Sequence, residues 1–391
     1  MLRSLVGWLR TLDLKEVVYA LLATFVAVAT TAWLGGVKRV KRFVLSRRAF
    51  ASYKKALRQT CQSLIVIGRR QGFSLGDVYV DLDLATSDLC PSPATTAPDI
   101  SFSPWLKTCV IVAGPGAGKS TIVKHHVLEH LDLKAGLPFY IRLREYTPEK
   151  SIDEYLVEQL RLHGVPEPEI SVRVSLSQAA SLCVLDGLDE VRPNNTQAVC
   201  DRINSFFHKF FSQARGTLIV TCRKEAYRGV PLDIPTILEV RPLTDQQIER
   251  FARKWPLPYP VGKSAETFLR DLFASTKIQE LARSPLLLVG GLMQYTESNL
   301  GIPEERVQYL ARVGRWLVAD WAVAQDHPPD RYRTLYPRVL ARLALHMHGA
   351  GRSEYPIEEA RGFIEQLLPE YGHESSEGSD VLSGLMTKTG I

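Results

Sequence analysis

Apolar and polar residues follow two different rhythms along this chain. Between residues 105 and 242, short apolar runs alternate with longer segments in which apolar residues recur at helical spacing. Short buried strands that alternate with helices are typical of an α/β protein with a parallel, doubly wound sheet. We therefore predict a parallel sheet flanked by helices, with strands over Cys109–Val112, Leu137–Leu143, Gly216–Arg223 and Thr236–Val240, and a further strand in Ser181–Glu190 that runs into acidic residues.

From Leu243 onward the spacing of apolar residues becomes helical throughout. Thr244 and Gln247 form the pattern of a capping box, which predicts the start of a helix at this point. We expect further helices over Ala265–Ala274, Lys277–Gln294, Val307–Ala324, Tyr332–Met347 and Ile357–Leu368. Upstream of the sheet, Arg47–Gln71 is expected to be helical, and the alternation in Ser74–Leu84 predicts a short strand.

The segment Val17–Val37 is uncharged and apolar. As a helix it would be about 31 Å long, enough to cross the hydrocarbon core of a bilayer, so we predict one transmembrane helix. A cleaved signal peptide and a buried core helix are the alternatives. The basic run Lys38–Arg58 follows directly, and the positive-inside rule then places the rest of the chain in the cytoplasm. These patterns predict a single-pass membrane protein whose basic segment contacts anionic lipid; nucleic acid is the alternative partner of that segment.

Composition and length agree with a folded protein of several domains. The chain has 391 residues, 45% of them hydrophobic, and a formal net charge of +6. Its six cysteines form no C-x-x-C pair, which indicates core thiols in a reducing compartment. The predicted organisation is a short N-terminal segment (1–16), the transmembrane helix (17–37), a basic region with a Pro/Ser-rich linker (38–104), the α/β domain (105–242), a helical domain (243–300) and a C-terminal region (301–391).

The apolar run that ends at Val112 is followed by a glycine-rich stretch, AGPGAGKST. This stretch has the spacing of a P-loop, with Ala113 in the place of the first glycine. In such loops, backbone N–H groups surround the phosphates and the following helix adds its N-terminal dipole. We expect the lysine to reach the β- and γ-phosphates and the serine hydroxyl to bind Mg²⁺. The predicted nucleotide-binding residues are Gly114, Pro115, Gly116, Ala117, Gly118, Lys119, Ser120 and Thr121.

A second motif, LCVLDGLDE, places three acidic residues after an apolar strand. Asp186 stands at the strand end, where a carboxylate can hold Mg²⁺ together with Ser120. Asp189 and Glu190 follow on the next turn, and one of them can orient or deprotonate the attacking water. The two motifs therefore predict the binding of an Mg-nucleotide, with an acidic residue placed for its hydrolysis.

These two motifs resemble the NACHT family of signal-transducing P-loop NTPases. The segment LIVTCR is similar to the sensor strand of that family, which implies that Arg223 faces the γ-phosphate. LARSPLLL resembles a helical-domain segment whose proline, here Pro285, packs on the adenine. The resemblance implies a helical domain followed by a winged-helix-like region, which is incomplete where the chain stops at Ile391. We therefore expect a short form or truncated chain, or a sensor on another protein.

Three function classes fit these motifs. The first is a membrane-anchored switch that is closed with ADP and oligomerises with ATP, acting in defence or stress signalling with an unknown sensor or effector protein. The resemblance to NACHT proteins implies this class, and slow ATP hydrolysis would reset the switch. The second is an AAA+-type motor that acts on nucleic acid or protein. The third is a membrane scaffold that binds nucleotide without hydrolysing it, which Asp189 and Glu190 disfavour. The chain lacks the Asn-Lys-x-Asp and Leu-Ser-Gly-Gly-Gln motifs of small GTPases and ABC transporters.

Overall fold

The computed structural model of the chain describes residues 50–64, 73–89, 100–101, 108–133, 136–213, 216–297, 300–317, 331–332, 334–352 and 355–389. The chain divides into two compact units. The smaller unit comprises the chain up to Ala56 and Asp153–Ser175, and the larger unit comprises Leu57–Ile152 and Leu176–Ile391. All the predicted site residues belong to the larger unit.

A seven-stranded sheet forms the centre of the larger unit. Its strands follow the spatial order β4-β3-β9-β5-β8-β7-β6. The strands β5, β7 and β8 are almost completely buried, as their continuous apolar sequences predict. The bounds of the seven strands are β3 Asp83–Thr86, β4 Ile100–Ser101, β5 Cys109–Ala113, β6 Phe139–Arg142, β7 Leu182–Asp186, β8 Thr217–Arg223 and β9 Ile237–Val240.

Five of the seven strands, β9, β5, β8, β7 and β6, are parallel neighbours. The sheet is nevertheless mixed, because β3 pairs antiparallel with both β9 and β4. The predicted parallel pairing of those five strands is confirmed, whereas the two antiparallel strands at this edge were not predicted as part of the sheet. The spacing of apolar residues indicates whether a strand is buried, but not whether it is parallel or antiparallel to its neighbour. That direction depends on the connection between the two strands. A separate two-stranded antiparallel sheet joins β1 (Ser63–Leu64) to β2 (Phe73–Ser74).

Helices of the larger unit flank the sheet, as predicted. The helix of residues 50–62 (α1) begins in the smaller unit, and α3 (Lys119–Leu133) follows β5 directly. The helix α6 (Thr196–Phe210) buries Val199, Ile203 and Phe207, which recur at helical spacing. A short helix, α7 (Lys224–Tyr227), follows β8.

The prediction of a continuous strand over Ser74–Leu84 was wrong in its first half. The structure has a short helix there, α2 (Leu75–Val78). Of the predicted strand, only the last two residues, Asp83 and Leu84, belong to β3. Leu75 and Val78 are both buried, and their spacing of three residues places them on one side of a helical turn. An alternating pattern over so few residues fits a helical turn as well as a strand.

Besides the first residues of α1, the smaller unit contains two described helices. These are α4 (Ile152–Leu162), whose first residue still belongs to the larger unit, and α5 (Pro168–Leu176), whose last residue does. Gly164 follows α4 with a φ of +71°, a conformation that glycine adopts without a steric cost. Within the unit, the rings of Tyr53 and His163 pack edge to face with centroids 5.5 Å apart.

A helical segment follows the sheet. Its helices are α8 (Asp245–Arg253), α9 (Ala265–Phe273), α10 (Thr276–Ala282) and α11 (Pro285–Glu297). The capping box predicted at Thr244 and Gln247 is present, with both reciprocal hydrogen bonds. The single helix predicted over Lys277–Gln294 is split into α10 and α11. Pro285 stands at the start of α11, where its missing N–H costs nothing, but it could not continue α10.

The C-terminal part is helical over its described residues, with α12 (Arg306–Arg315), α13 (Tyr336–Gly349), α14 (Ile357–Leu367) and α15 (Gly378–Thr389). The last three helices share a small apolar core. Its fully buried members include Val339, Ile364 and Val381, one from each helix. The assignment of this region to a winged-helix-like domain remains a prediction.

The predicted transmembrane helix, Val17–Val37, lies outside the described residues. Across the described part of the chain, no helix combines the length and apolar character needed to cross a bilayer. The longest described helices have 15 residues, which is about 22 Å, whereas the hydrocarbon core is about 30 Å thick. This finding corrects the prediction of a single-pass membrane protein, and the lipid contact that was tied to it has no support.

Candidate functional site

The glycine-rich loop lies between β5 and α3, as the sequence predicts. The strand ends at Ala113 and the helix begins at Lys119, so Gly114–Gly118 form the turn. Gly116 has a φ of +69° and Gly118 a φ of +94°, values that side-chain-bearing residues rarely adopt. Ala113 is buried and in strand conformation, so the departure from the first glycine of the motif introduces no strain.

Lys119 places its ammonium group against the loop itself. Its Nζ donates to Ala113 O at 3.1 Å and to Gly114 O at 3.3 Å. Burial lowers the pKa of Lys119, while the nearby Asp189 carboxylate opposes this shift. A partly desolvated cation beside a turn of backbone N–H groups is well suited to bind the phosphates of a nucleotide.

The Asp186 carboxylate, at the end of β7, receives three side-chain hydroxyl groups. Ser120 Oγ donates to its Oδ1 at 3.1 Å, and Thr221 Oγ1 donates to the same oxygen at 2.6 Å. Tyr140 OH donates to the other oxygen, Oδ2, at 2.7 Å. Burial and the adjacent Asp186 charge raise the pKa of Tyr140, so its phenol stays a proton donor. Ser120 and Asp186 are therefore brought together, as the two motifs predict.

The donors at this point fit Mg²⁺. A serine hydroxyl and a carboxylate are hard oxygen ligands, and Mg²⁺ in nucleotide sites is usually held by one or two such groups plus phosphate and water. Among the described residues, no group of three or more His, Cys, Asp or Glu forms a metal cage. Ser120 and Asp186 are thus the residues that would hold the ion, and the bound ion would neutralise phosphate charge.

Asp189 and Glu190 lie on a 3₁₀ turn, Leu188–Glu190, directly after β7. Gly187 enters this turn with a φ of +84°, and its N–H donates to Thr221 Oγ1 at 2.8 Å. The turn therefore depends on a glycine and on a hydroxyl from the neighbouring strand, β8.

The two acids have different partners. Asp189 contacts Arg223 twice: its Oδ1 accepts the backbone N–H, and its Oδ2 forms an ion pair with Nε, both at 2.9 Å. Among the described residues, Glu190 forms one loose ion pair, 3.8 Å from Arg144 Nη1 to its Oε2. Burial raises the pKa of Glu190, opposed by Arg144 and aided by the charges of Asp186 and Asp189. Of the two acids, Glu190 is therefore the one suited to accept a proton.

Arg223 ends β8 beside the loop, because β8 pairs in parallel register with β5 and matches Arg223 with Ala113. Its guanidinium is mostly exposed and contacts Asp189. This places a cation beside the start of the glycine-rich loop. That Arg223 faces the terminal phosphate, as the family resemblance implies, stays a prediction.

An apolar cavity of about 240 Å³ adjoins the loop. Pro285, predicted to pack on the base, is part of its wall. The lining comes from five separate stretches of the chain and consists of Leu75, Val78, Tyr79, Val80, Leu82, Gly116, Gly118, Thr121, Leu243, Phe251, Pro285, Leu286, Val289 and Trp316. Among the described residues, Tyr79 OH and Trp316 Nε1 are buried without a hydrogen-bond partner. The lining therefore combines an apolar surface with unused hydrogen-bonding capacity, which suits a heteroaromatic base.

The helical segment packs directly on the loop. Leu286 N–H donates to Gly116 O at 3.2 Å. A Cβ atom added at Gly116 would lie 2.6 Å from Leu286 Cβ, so only a glycine permits this approach. The glycine thus serves the packing of α11 as well as the turn.

No sequence pattern indicates that Tyr140, Thr221 or most of the cavity lining belong to the site. Tyr140 lies in a strand of ordinary alternation, and nothing in its spacing indicates a bond to a residue on another strand. Thr221 occurs inside the predicted sensor strand, two residues before Arg223, but a threonine is common in any strand. A polar side chain within an otherwise apolar buried strand is the one signal that could have identified Thr221.

Comparison with known proteins gives one family match. Residues 107–256, less than half of the chain, match the NACHT domain. No curated protein matches the chain.

Two solved structures are similar over most of the chain. Cdc6p from Pyrobaculum aerophilum has 14% identity and a TM-score of 0.35, over 72% of this chain and 79% of that one. A Signal Transduction ATPase with Numerous Domains (STAND) protein from Pyrococcus horikoshii, with a tetratricopeptide repeat sensor, has 13% identity and a TM-score of 0.33. This match covers 73% of this chain and 46% of that one, so the chain spans about half the length of the STAND protein. The family match and the arrangement of the loop, Asp186 and the following acids together support a NACHT P-loop NTPase module in this part of the chain.

Proposed function

We propose that this chain is an Mg-dependent nucleotide switch that binds ATP and ADP, hydrolyses ATP slowly and signals through a change of state. The observation that carries this proposal is the joining of the P-loop, Ser120 and Asp186 at one sheet edge, with an apolar cavity beside them. Phosphates, metal and base then each have a matching surface: the loop N–H groups with Lys119, the pair Ser120 and Asp186, and the cavity.

For hydrolysis, we assign Glu190 as the group that orients or deprotonates water. Its carboxylate forms no ion pair closer than 3.8 Å with the residues that the structure describes, and burial raises its pKa toward the range useful for proton transfer. Arg223, beside the start of the loop, would stabilise charge on the terminal phosphate. Asp189 would hold Arg223 in place through one hydrogen bond to its backbone and one ion pair with its guanidinium. Slow turnover suits a switch, since the bound state must outlast the signal.

The contact between the helical segment and the loop supports a nucleotide-dependent change of state. Leu286 bonds to Gly116, and Pro285 and Val289 line the cavity, so a bound nucleotide would touch both the sheet domain and α11. We propose a closed state with ADP and an opened, oligomerising state with ATP, in defence or stress signalling with a sensor or effector protein as partner. A ligand can shift such an equilibrium only if it binds the two states differently, which a nucleotide that touches both parts can do.

The decisive experiment identifies the nucleotide that co-purifies with the full chain, by anion-exchange chromatography after the protein is denatured. Retained ADP, together with assembly of larger species in light scattering after addition of Mg²⁺ and a non-hydrolysable ATP analogue, supports the switch. A protein that neither retains nor binds any nucleotide would contradict it. Rapid ATP turnover that is stimulated by DNA, RNA or unfolded protein would instead indicate an AAA+-type motor.

A further inference from the structure

The Asp186 carboxylate is held by hydroxyl groups from three different elements. Ser120 comes from the first turn of α3, Tyr140 from β6 and Thr221 from β8. Ser120 belongs to the P-loop motif, whereas the roles of Tyr140 and Thr221 follow from no motif. We propose that Tyr140 and Thr221 are positioning residues that hold the Asp186 carboxylate for the Mg²⁺ of the bound nucleotide. This inference rests on the proposed nucleotide-binding function.

The chemistry of these partners is the first argument. Asp186 is 6% exposed, and a buried carboxylate normally requires a cation or several hydrogen bonds. Among the described residues, no Lys, Arg or His lies within ion-pair distance of Asp186; its close partners are hydroxyls. Hydrogen bonds to an ionised acceptor are strong and fix its orientation, yet hydroxyls are neutral and leave its negative charge uncompensated. A carboxylate that is fixed but not neutralised is what an incoming divalent cation requires.

The distribution of the hydrogen bonds is the second argument. Tyr140 binds Oδ2 and Thr221 binds Oδ1, so both oxygens are held and rotation of the carboxylate about χ2 is restricted. Thr221 also accepts the Gly187 N–H at 2.8 Å. One hydroxyl thus links the carboxylate to the start of the turn that carries Asp189 and Glu190.

The rival explanation is that these bonds merely satisfy a polar group in the core. The two explanations differ in which equilibrium a substitution changes. A core role predicts a loss of folding stability and an equal loss of nucleotide affinity with and without metal. A positioning role predicts a selective loss of metal affinity, because partners that orient a metal ligand typically contribute about 10- to 100-fold to metal binding.

The test uses the full chain with Tyr140→Phe and Thr221→Val, each of which removes one hydroxyl with little change in shape. Two quantities are measured with a fluorescent ATP analogue: its affinity in EDTA, and the Mg²⁺ concentration at the midpoint of the metal-dependent signal. We expect unchanged affinity in EDTA and a midpoint raised by about tenfold or more. Thr221→Ser, which keeps the hydroxyl, should restore the wild-type midpoint.

Two matched controls make the same types of substitution, and so remove the same type of hydroxyl group, at other positions of the domain. Tyr146→Phe deletes a buried hydroxyl that donates to Lys150 O, and Thr217→Val alters the first residue of β8. Both should leave the Mg²⁺ midpoint unchanged. The inference is overturned if Tyr140→Phe and Thr221→Val leave the Mg²⁺ midpoint unchanged. It is also overturned if they weaken nucleotide binding equally with and without Mg²⁺. If the wild-type protein itself binds no nucleotide, the proposed function fails as well, so the two failures are distinguishable.

Discussion

Different charged residues of this site have different proposed roles. Lys119 is the cation proposed to bind the phosphates. Its ammonium lies against the loop carbonyls of Ala113 and Gly114. We expect Lys119→Ala to abolish tight binding of labelled ATP in a fluorescence titration, because the phosphates lose their main side-chain cation. Lys124→Ala, five residues further along α3, is the control and should bind normally. Normal affinity in Lys119→Ala would contradict the assignment of the loop.

Glu190 should impose a pH dependence on hydrolysis. Burial raises its pKa above that of an ordinary glutamate. The carboxylate accepts a proton only when ionised, so the rate of ATP turnover should fall as the pH drops through this raised pKa. The falling limb should therefore lie at a higher pH than for an unperturbed glutamate.

We expect Glu190→Gln to bind ATP normally, to hydrolyse it much more slowly and to lose this limb in a profile of kcat against pH. Glu225→Gln, which alters an exposed glutamate of α7, should keep both the rate and the limb. A Glu190→Gln variant with the wild-type rate and profile would show that the base lies elsewhere.

Arg223 should distinguish ATP from ADP. Asp189 fixes its backbone and its guanidinium beside the loop. Because only ATP carries a γ-phosphate, we expect Arg223→Ala to weaken ATP binding more than ADP binding in isothermal titration calorimetry. Arg228→Ala, an exposed arginine of the same region, should change neither. An equal loss for both nucleotides would indicate that Arg223 supports the fold and not the terminal phosphate.

At the scale of elements, the cavity is built where α2, the loop and α11 meet. Residues of all three elements line the cavity, and Leu286 of α11 packs closely on Gly116 of the loop, where no side chain intervenes. Val289, one turn further along α11, lines the same space. This arrangement makes the position of α11 part of the proposed base site.

Filling the cavity should therefore weaken ATP binding while leaving phosphate binding intact. Overpacking a filled site typically costs about 1–3 kcal/mol, so we expect Val289→Phe to lower the affinity for ATP by roughly tenfold. Its affinity for inorganic triphosphate, measured by competition, should not change. Val307→Phe, at an exposed valine of α12, is the control. An unchanged affinity for ATP in Val289→Phe would place the base outside the cavity.

At the scale of the whole molecule, nucleotide binding should be coupled to stability. A ligand that binds only the folded state stabilises it by about 2.7 kcal/mol at a concentration 100 times its dissociation constant. We expect Mg-ADP to raise the thermal midpoint of the full chain in differential scanning fluorimetry, and to have no effect on Lys119→Ala. A shift of equal size in both proteins would mean that the nucleotide binds outside the loop.

The sequence by itself determined the parts of this protein that depend on neighbouring residues. The loop, the capping box of Thr244 and Gln247, and the buried strands β5, β7 and β8 were all predicted correctly. Their physical causes are local: glycines at positive φ, a reciprocal cap between residues three apart, and continuous apolar runs.

Tertiary structure alone decided what depends on distant residues. Tyr140 and Thr221 reach Asp186 only because β6 and β8 flank β7, and the cavity joins side chains as far apart as Leu75 and Trp316. The antiparallel pairing of β3 and the short helix α2 likewise depend on tertiary packing and on how the strands are connected. The spacing of apolar residues indicates neither. Local patterns determine which residues can bind phosphate, whereas long-range packing determines which residues orient the metal ligand and enclose the base.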